Sequence, residues 1–339
     1  LAGDPSVPAA RVTRVGADAT LRASATEAGD GGEVIVWSET ATAFEGRVEA
    51  RGAGTGDGGF TELSSRGRLV FDGEVDLSAP EGSGGRLLFD PLDLEVRVGG
   101  DTDLVGAPSD GNDEVFGFAE DSGTTVIDPQ AILDLLDLGT DVTLQAERDV
   151  LVADAIDASG SATPGGGLTL QGGRDIRIDA GIVLRNGDLV LSANDPLGTQ
   201  SGSGRVQLNA ALDTGTGAVE LRQNGSSAAA LLVAPIVGGA LTLDGSTALS
   251  ADVLTAGAQA WNGPVTLLGD VALTAADAPI TLQAVDGAAA LALDSGTGTL
   301  RLEGPVGSGT PLGAVAVNGT GDLQLLDAFA ADSLVVGDA

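Results

Sequence analysis

The chain has no cysteine, histidine, methionine, tyrosine or lysine. Without cysteine there are no disulfides, and the redox compartment leaves no mark on the sequence. Without histidine and cysteine the usual zinc sites, thiol nucleophiles and histidine-centred triads are excluded, and lyase chemistry built on a lysine base goes with them. Aromatic residues make up only 3% of the 339 positions, seven Phe and two Trp. The interior therefore cannot be anchored on large rings and must be filled in thin layers by Leu, Val, Ile and Ala. Positive charge is also scarce: 16 basic residues, all arginine, stand against 49 acidic ones for a net charge of −33. Such a field repels phosphate backbones and anionic lipid heads, which argues against nucleic acid as a partner and against electrostatic docking on membranes. No apolar run approaches the roughly 20 residues of a membrane helix. The longest, Ala228 to Val237, is broken by Pro235, so no membrane span is expected.

What the chain does have is 53 glycines and many short alternating segments bounded by Gly, Asp, Asn or Ser. Examples are Asp141-Val142-Thr143-Leu144-Gln145-Ala146, Gly167-Leu168-Thr169-Leu170-Gln171, Asp188-Leu189-Val190-Leu191-Ser192, Ala240-Leu241-Thr242-Leu243 and Thr299-Leu300-Arg301-Leu302. Period-two patterning over four to six residues is the signal of a half-buried strand. Similar strands return at about 20 residues, the length of one coil of a β-solenoid. Gly and Asp suit the corners, where positive φ or an Asx turn is needed. Antiparallel sandwiches would instead show hairpin signals and larger core rings. The expectation is all-β: a solenoid of about 15 to 17 coils, on the order of 75 Å long.

One stretch departs from this pattern. Residues 99–125 are acidic and irregular, with Asp101, Asp103, Asp110, Asp113, Glu114, Glu120 and Asp121, and are expected to form an extra-helical loop. Then Asp128-Pro129 opens and Gly139 closes one short helix, with Ile132, Leu133, Leu135 and Leu136 on its apolar side, packed against the solenoid flank or under the loop. The organisation read from the sequence is 1–98 as coils, 99–139 as loop and helix, and 140–339 as further coils of one continuous solenoid.

The first half carries a family likeness. Gly31-Gly32-Glu33-Val34-Ile35-Val36-Trp37-Ser38-Glu39, Thr42-Ala43-Phe44-Glu45-Gly46-Arg47-Val48, Gly58-Gly59-Phe60-Thr61-Glu62-Leu63-Ser64, Phe71-Asp72-Gly73-Glu74-Val75-Asp76-Leu77-Ser78 and Gly85-Arg86-Leu87-Leu88-Phe89-Asp90-Pro91 resemble filamentous-haemagglutinin-like exoproteins. The likeness is specific over residues 17–185 and generic beyond. It implies a right-handed parallel β-helix, export across the outer membrane of a Gram-negative bacterium by two-partner secretion, and a role as adhesin or filament at the cell surface. The family's amino-terminal secretion domain, with its Asn-Pro motif, is absent from these residues. The outer-membrane partner transporter would therefore be engaged through an upstream domain, and this chain would be a piece following it.

The chemistry on offer is modest. Asp90 and Asp93 flank Pro91-Leu92, and Asp149, Asp154, Asp157, Asp175 and Asp179 stand near strand ends. Among so many acids these read as turn formers on a solvated face, because a catalytic pair also needs a cleft with stacking rings. Calcium is the one metal that suits the acidic loop, through Asp101, Asp103, Asp110, Asn112 and Asp113, although no EF-hand or nonapeptide spacing is present. The segment Gly54-Thr55-Gly56-Asp57-Gly58-Gly59 lacks the lysine and following helix of a phosphate cradle and reads as a turn. Trp37, Trp261, Phe44, Phe60, Phe71 and Phe89 are expected to point inward rather than to form a sugar-stacking patch. The function expected is non-enzymatic: a structural and adhesive segment with no cofactor, able to associate end to end with further solenoid and to attach to a surface glycan or protein. A polysaccharide-active or glycan-binding β-helix is the alternative.

Overall fold

The computed structural model describes residues 9–99, 123–161 and 165–337. Among the described residues the regular structure is one helix and short strands, and the strands pair in parallel, with an isolated antiparallel bridge from Gly29 to Ala53. The fold is a parallel β-helix. The chain forms two compact units, one of residues 1–154 with 162–172 and one of 155–161 with 173–339.

In the first unit each coil lays one strand on each of three faces. Val12–Val15, Ala41–Phe44 and Arg68–Phe71 stack on the first face, and Thr20–Arg22, Arg47–Glu49 and Glu74–Asp76 on the second. On the third face Glu33–Val36, Phe60–Ser64, Arg86–Asp90, Asp141–Ala146 and Leu168–Gly172 follow in register. Alternate residues turn inward and superpose, so Val36, Leu63, Phe89 and Leu144 form one buried column. Phe44 stacks on Phe71 at 6.1 Å between centroids, and Phe71 meets Phe89 edge-on at 5.0 Å. Three of the chain's nine rings thus meet in the interior, each pair worth about 0.5–1.5 kcal/mol beyond the buried area.

The order of strands is broken at one point. Leu94–Val96 pairs with Val150–Val152 on one side and with Thr125–Ile127 on the other. Thr125 Oγ1 accepts the Leu69 N–H at 2.8 Å, so the later strand fills the slot between Arg68–Phe71 and Leu94–Val96. The helix, Pro129–Asp137, follows. Asp128 caps it by accepting the Gln130 N–H, Pro129 stands at its first position, and Gly139 leaves it with φ +74°. Ile132, Leu135 and Leu136 are buried, while Leu133 is half-buried. The helix lies over the edge of Glu74–Asp76, enclosing with Arg47, Phe71 and Gly73 a cavity of about 390 Å³. Of the two positions expected from the sequence, the flank contact is present, and residues 100–122 of the loop lie outside the described residues.

The second unit repeats the scheme with an almost purely aliphatic interior. Its third face runs Leu189–Ala193, Val219–Arg222, Leu241–Asp244, Gln259–Trp261, Ile280–Leu282, Leu300–Leu302 and Leu323–Leu325. Trp261 is the fully buried ring of this unit, with its indole N–H donating to Gln259 Oε1 at 3.3 Å, whereas Phe329 is half-buried. The buried Gln259 amide donates in turn to Thr274 O at 2.8 Å and to Thr255 Oγ1 at 3.2 Å.

Candidate functional site

At the corner after the third face of the first unit, successive coils superpose Trp37-Ser38, Ser65-Arg66, Asp90-Pro91 and Glu147. Strand pairing continues into this corner through the backbone. Ser65 N–H donates to Asp90 O, Arg66 N–H to Ser38 O and Glu147 N–H to Pro91 O, at 3.0 to 3.2 Å. Behind it, Ser38, Thr42 and Ser65 form a buried hydroxyl cluster, and Thr42 Oγ1 donates to Ser64 O at 2.8 Å. The corner is therefore rigid, and the side chains it projects line a groove of about 320 Å³: Trp37, Ser65, Arg66, Asp90, Pro91 and Glu147. At about 4.8 Å per coil, four coils give it a length of roughly 14 Å.

Trp37 is half-buried. The Arg66 guanidinium lies 5.9 Å from the indole centroid and also pairs with Glu39 at 3.4 Å. Asp90 titrates near 6 rather than at its ordinary 3.8, because burial disfavours its charge and the carboxylates of Glu62 and Glu147 repel it. A hydrogen bond from Gln145 acts in the opposite direction. The groove therefore combines a ring face, a cation and a carboxyl group that changes charge near pH 6.

Most other acids singled out from the sequence are held in structural hydrogen bonds. Asp93 is gripped by Arg148, whose Nε lies 2.9 Å from Oδ1 with a second contact from Nη2 to Oδ2, so Asp90 and Asp93 do not converge as a pair. Asp154 accepts the Val98 N–H, Asp157 the Ser159 N–H and Asp175 the Arg205 N–H. Asp179 takes Arg177 and Asn209, and these bonds hold its carboxyl below the usual range. The calcium candidates Asp101, Asp103, Asp110, Asn112 and Asp113 lie outside the described residues. Among the described residues no group of three or more acids is arranged to hold a metal ion. Residues 54–59 form a turn between two strands, as read from the sequence.

Of the six rings expected inside, Phe44, Phe71, Phe89 and Trp261 are buried, whereas Phe60 and Trp37 are only half-buried. Phe60 lies under the Arg86 guanidinium, 5.7 Å from its centroid. The correction was available from the sequence: if Val34 and Val36 face the interior, period two places Trp37 outside.

No known protein-family profile matches the chain, and no curated protein shows significant similarity to it.

Proposed function

We propose that the chain is a structural and adhesive segment of a large secreted or cell-surface bacterial fibre. The observation that carries this reading is the way neighbouring coils are fastened. Beyond the backbone ladders, corner carboxylates accept the N–H of the residue one coil on. Asp30 takes Asp57 and Asp57 takes Ser83; in the second unit Asp188 takes Ala218, Asp252 takes Ala272 and Asp270 takes Ala290, all at 2.7 to 2.9 Å. These bonds run along the stacking direction, so the acids that make the chain soluble also stiffen it. Export by a partner transporter through an upstream domain, and residence outside a Gram-negative cell, belong to this proposal and rest on the sequence likeness. End-to-end self-association with further solenoid also belongs to this proposal and rests on the stack itself, in which each coil covers the strand edges of the one before. Among the described residues, no helix is long and apolar enough to cross a membrane.

Electron microscopy of the native material and of the isolated chain tests the reading: fibres and short straight rods are expected, and compact globules in both samples would overturn it. The second reading, a polysaccharide-active β-helix, draws on Asp90 beside Glu147 in the groove. Release of reducing ends from a glycan panel, abolished by Asp90→Asn, would put that reading first.

A further inference from the structure

We propose that the Trp37 groove is a subsite for a glycan whose residues carry free amino groups. The proposal gives the adhesive reading a ligand and rests on that reading only for its biological sense. Three features of the groove select this chemistry. Trp37 with Pro91 offers apolar surface on which the C–H face of a sugar ring can lie, and 320 Å³ is at the small end of ligand pockets, which span about 300–1,000 Å³. Asp90 and Glu147 present carboxylates on two successive coils, with Glu62 close enough to add to the repulsion at Asp90. A protonated amine placed between them relieves that repulsion, whereas a uronic acid would increase it. The Arg66 guanidinium beside Trp37 is itself paired with Glu39 at 3.4 Å, and the net charge of −33 disfavours polyanionic glycans at long range.

A basic peptide is the competing ligand of like charge. Extended peptides are held largely through main-chain hydrogen bonds to an open strand edge. At this corner the N–H groups of Ser65, Arg66 and Glu147 are already bonded to the neighbouring coil. Recognition is left to side chains grouped around a flat ring, which suits a saccharide bearing hydroxyl and ammonium groups better than an extended chain.

The test is titration calorimetry of the chain near pH 6.5, where Asp90 is mostly ionised and a sugar amine still binds a proton, with four probes: pentamers of glucosamine, N-acetylglucosamine, galacturonate and lysine. Glucosamine is expected to bind best, N-acetylglucosamine at least about tenfold more weakly, and galacturonate not measurably. Trp37→Ala should lower glucosamine affinity by about tenfold or more, with Trp37→Phe retaining most of it. Asp90→Asn, which removes that carboxylate's charge at constant pH, should weaken glucosamine binding severalfold and leave N-acetylglucosamine binding unchanged. The proposal is overturned if glucosamine does not bind, if galacturonate or pentalysine binds as well as glucosamine, or if Trp37→Ala, melting as the parent does, binds unaltered. Rods and fibres in the micrographs do not depend on any of these outcomes, so the fibre reading can stand while the subsite fails, and the reverse.

Discussion

In the first unit a coil takes 26 or 27 residues, as between Asp57 and Ser83 and between Asp30 and Asp57, except for the one that carries the helix, which takes 55 from Arg86 to Asp141. In the second it shortens from 30 at Asp188 to 18 at Asp244 and then runs between 19 and 24. The strands themselves are no longer in the first unit, so the additional residues sit in the corners. Residues 50–59 separate Arg47–Glu49 from Phe60–Ser64, but only 256–258 separate Val253–Thr255 from Gln259–Trp261. Charge follows the same division. In the first unit Glu49, almost fully buried, gathers Arg22, Arg47 and Arg51 at 3.0 to 3.3 Å, and Arg47 also reaches Glu74 and Asp76 on the next coil. In the second, Arg301 is the only arginine after Arg222. The second unit approaches the minimum a coil requires, three strands and three turns. The first carries an arginine–carboxylate ladder, broad corners and the Trp37 groove on the same scaffold. Where a solenoid lengthens its coils beyond that minimum, the additional residues are the place to look for recognition.

The two tryptophans make this comparison measurable, because Trp37 stands in the first unit and Trp261 in the second. In denaturant titrations, fluorescence of Trp37→Phe reports the second unit and that of Trp261→Phe the first. Trp261→Ala should cost about 3–5 kcal/mol, by removing the fully buried ring from an aliphatic interior and leaving Gln259 Oε1 without its donor. The loss is expected in the second-unit transition, followed by circular dichroism, with Trp37 fluorescence reporting the first unit unchanged. A Trp37 transition that shifts together with the dichroism would break the division into independently melting units.

Asp90→Asn should raise stability rather than lower it. The native pKa near 6 lies above the ordinary 3.8, so the folded chain holds this proton more tightly than the unfolded one. Stability therefore falls as pH rises between those values and stays lower above them. At about 1.36 kcal/mol per pKa unit, the substitution gains at most about 3 kcal/mol near pH 7.5 and almost nothing near pH 4. Urea melts at the two pH values check this, and a gain equal at both would remove the electrostatic explanation. The glycine corner acts in the opposite direction. A Cβ on Gly59 would stand 2.1 Å from Gly32 O, so Gly59→Ala should cost about 1–3 kcal/mol or more in the first-unit transition.

Much of the fold can be read in the sequence. Alternation bounded by Gly and Asp locates strands such as Asp141–Ala146 and Leu168–Gly172, because period two survives wherever one face is dry. The helix is legible because cap, proline and terminal glycine all fall within twelve residues, 128–139. The coil period is only half legible: a repeat near 20 describes the later coils of the second unit, while the wider corners of the first unit lengthen its period without altering the strand pattern that was counted. Thr125–Ile127 slipping in beside Leu94–Val96 leaves no sequence signal, since three residues with no unusual pattern gain their place from partners 31 positions earlier. Trp37 was misplaced for a different reason: large rings are presumed buried, and that presumption overrode the alternation that places it outside.

The smallest expected effect bears on the fibre reading most directly. Asp57→Ala in the first unit and Asp270→Ala in the second each remove one carboxylate that accepts an N–H from the next coil, and each should cost about 0.5–1.5 kcal/mol in its own unit. Because a solenoid coil contacts mainly its neighbours, such losses should add when the altered corners are several coils apart. Asp188→Ala combined with Asp270→Ala should therefore lower the second-unit transition by the sum of the two single effects, measured with Trp261 as reporter. If the acids merely keep the surface soluble, removing either carboxylate should relieve repulsion in a chain of net charge −33 and raise stability slightly, more so at low salt. The sign of a single small shift thus separates a staple from a solvated charge.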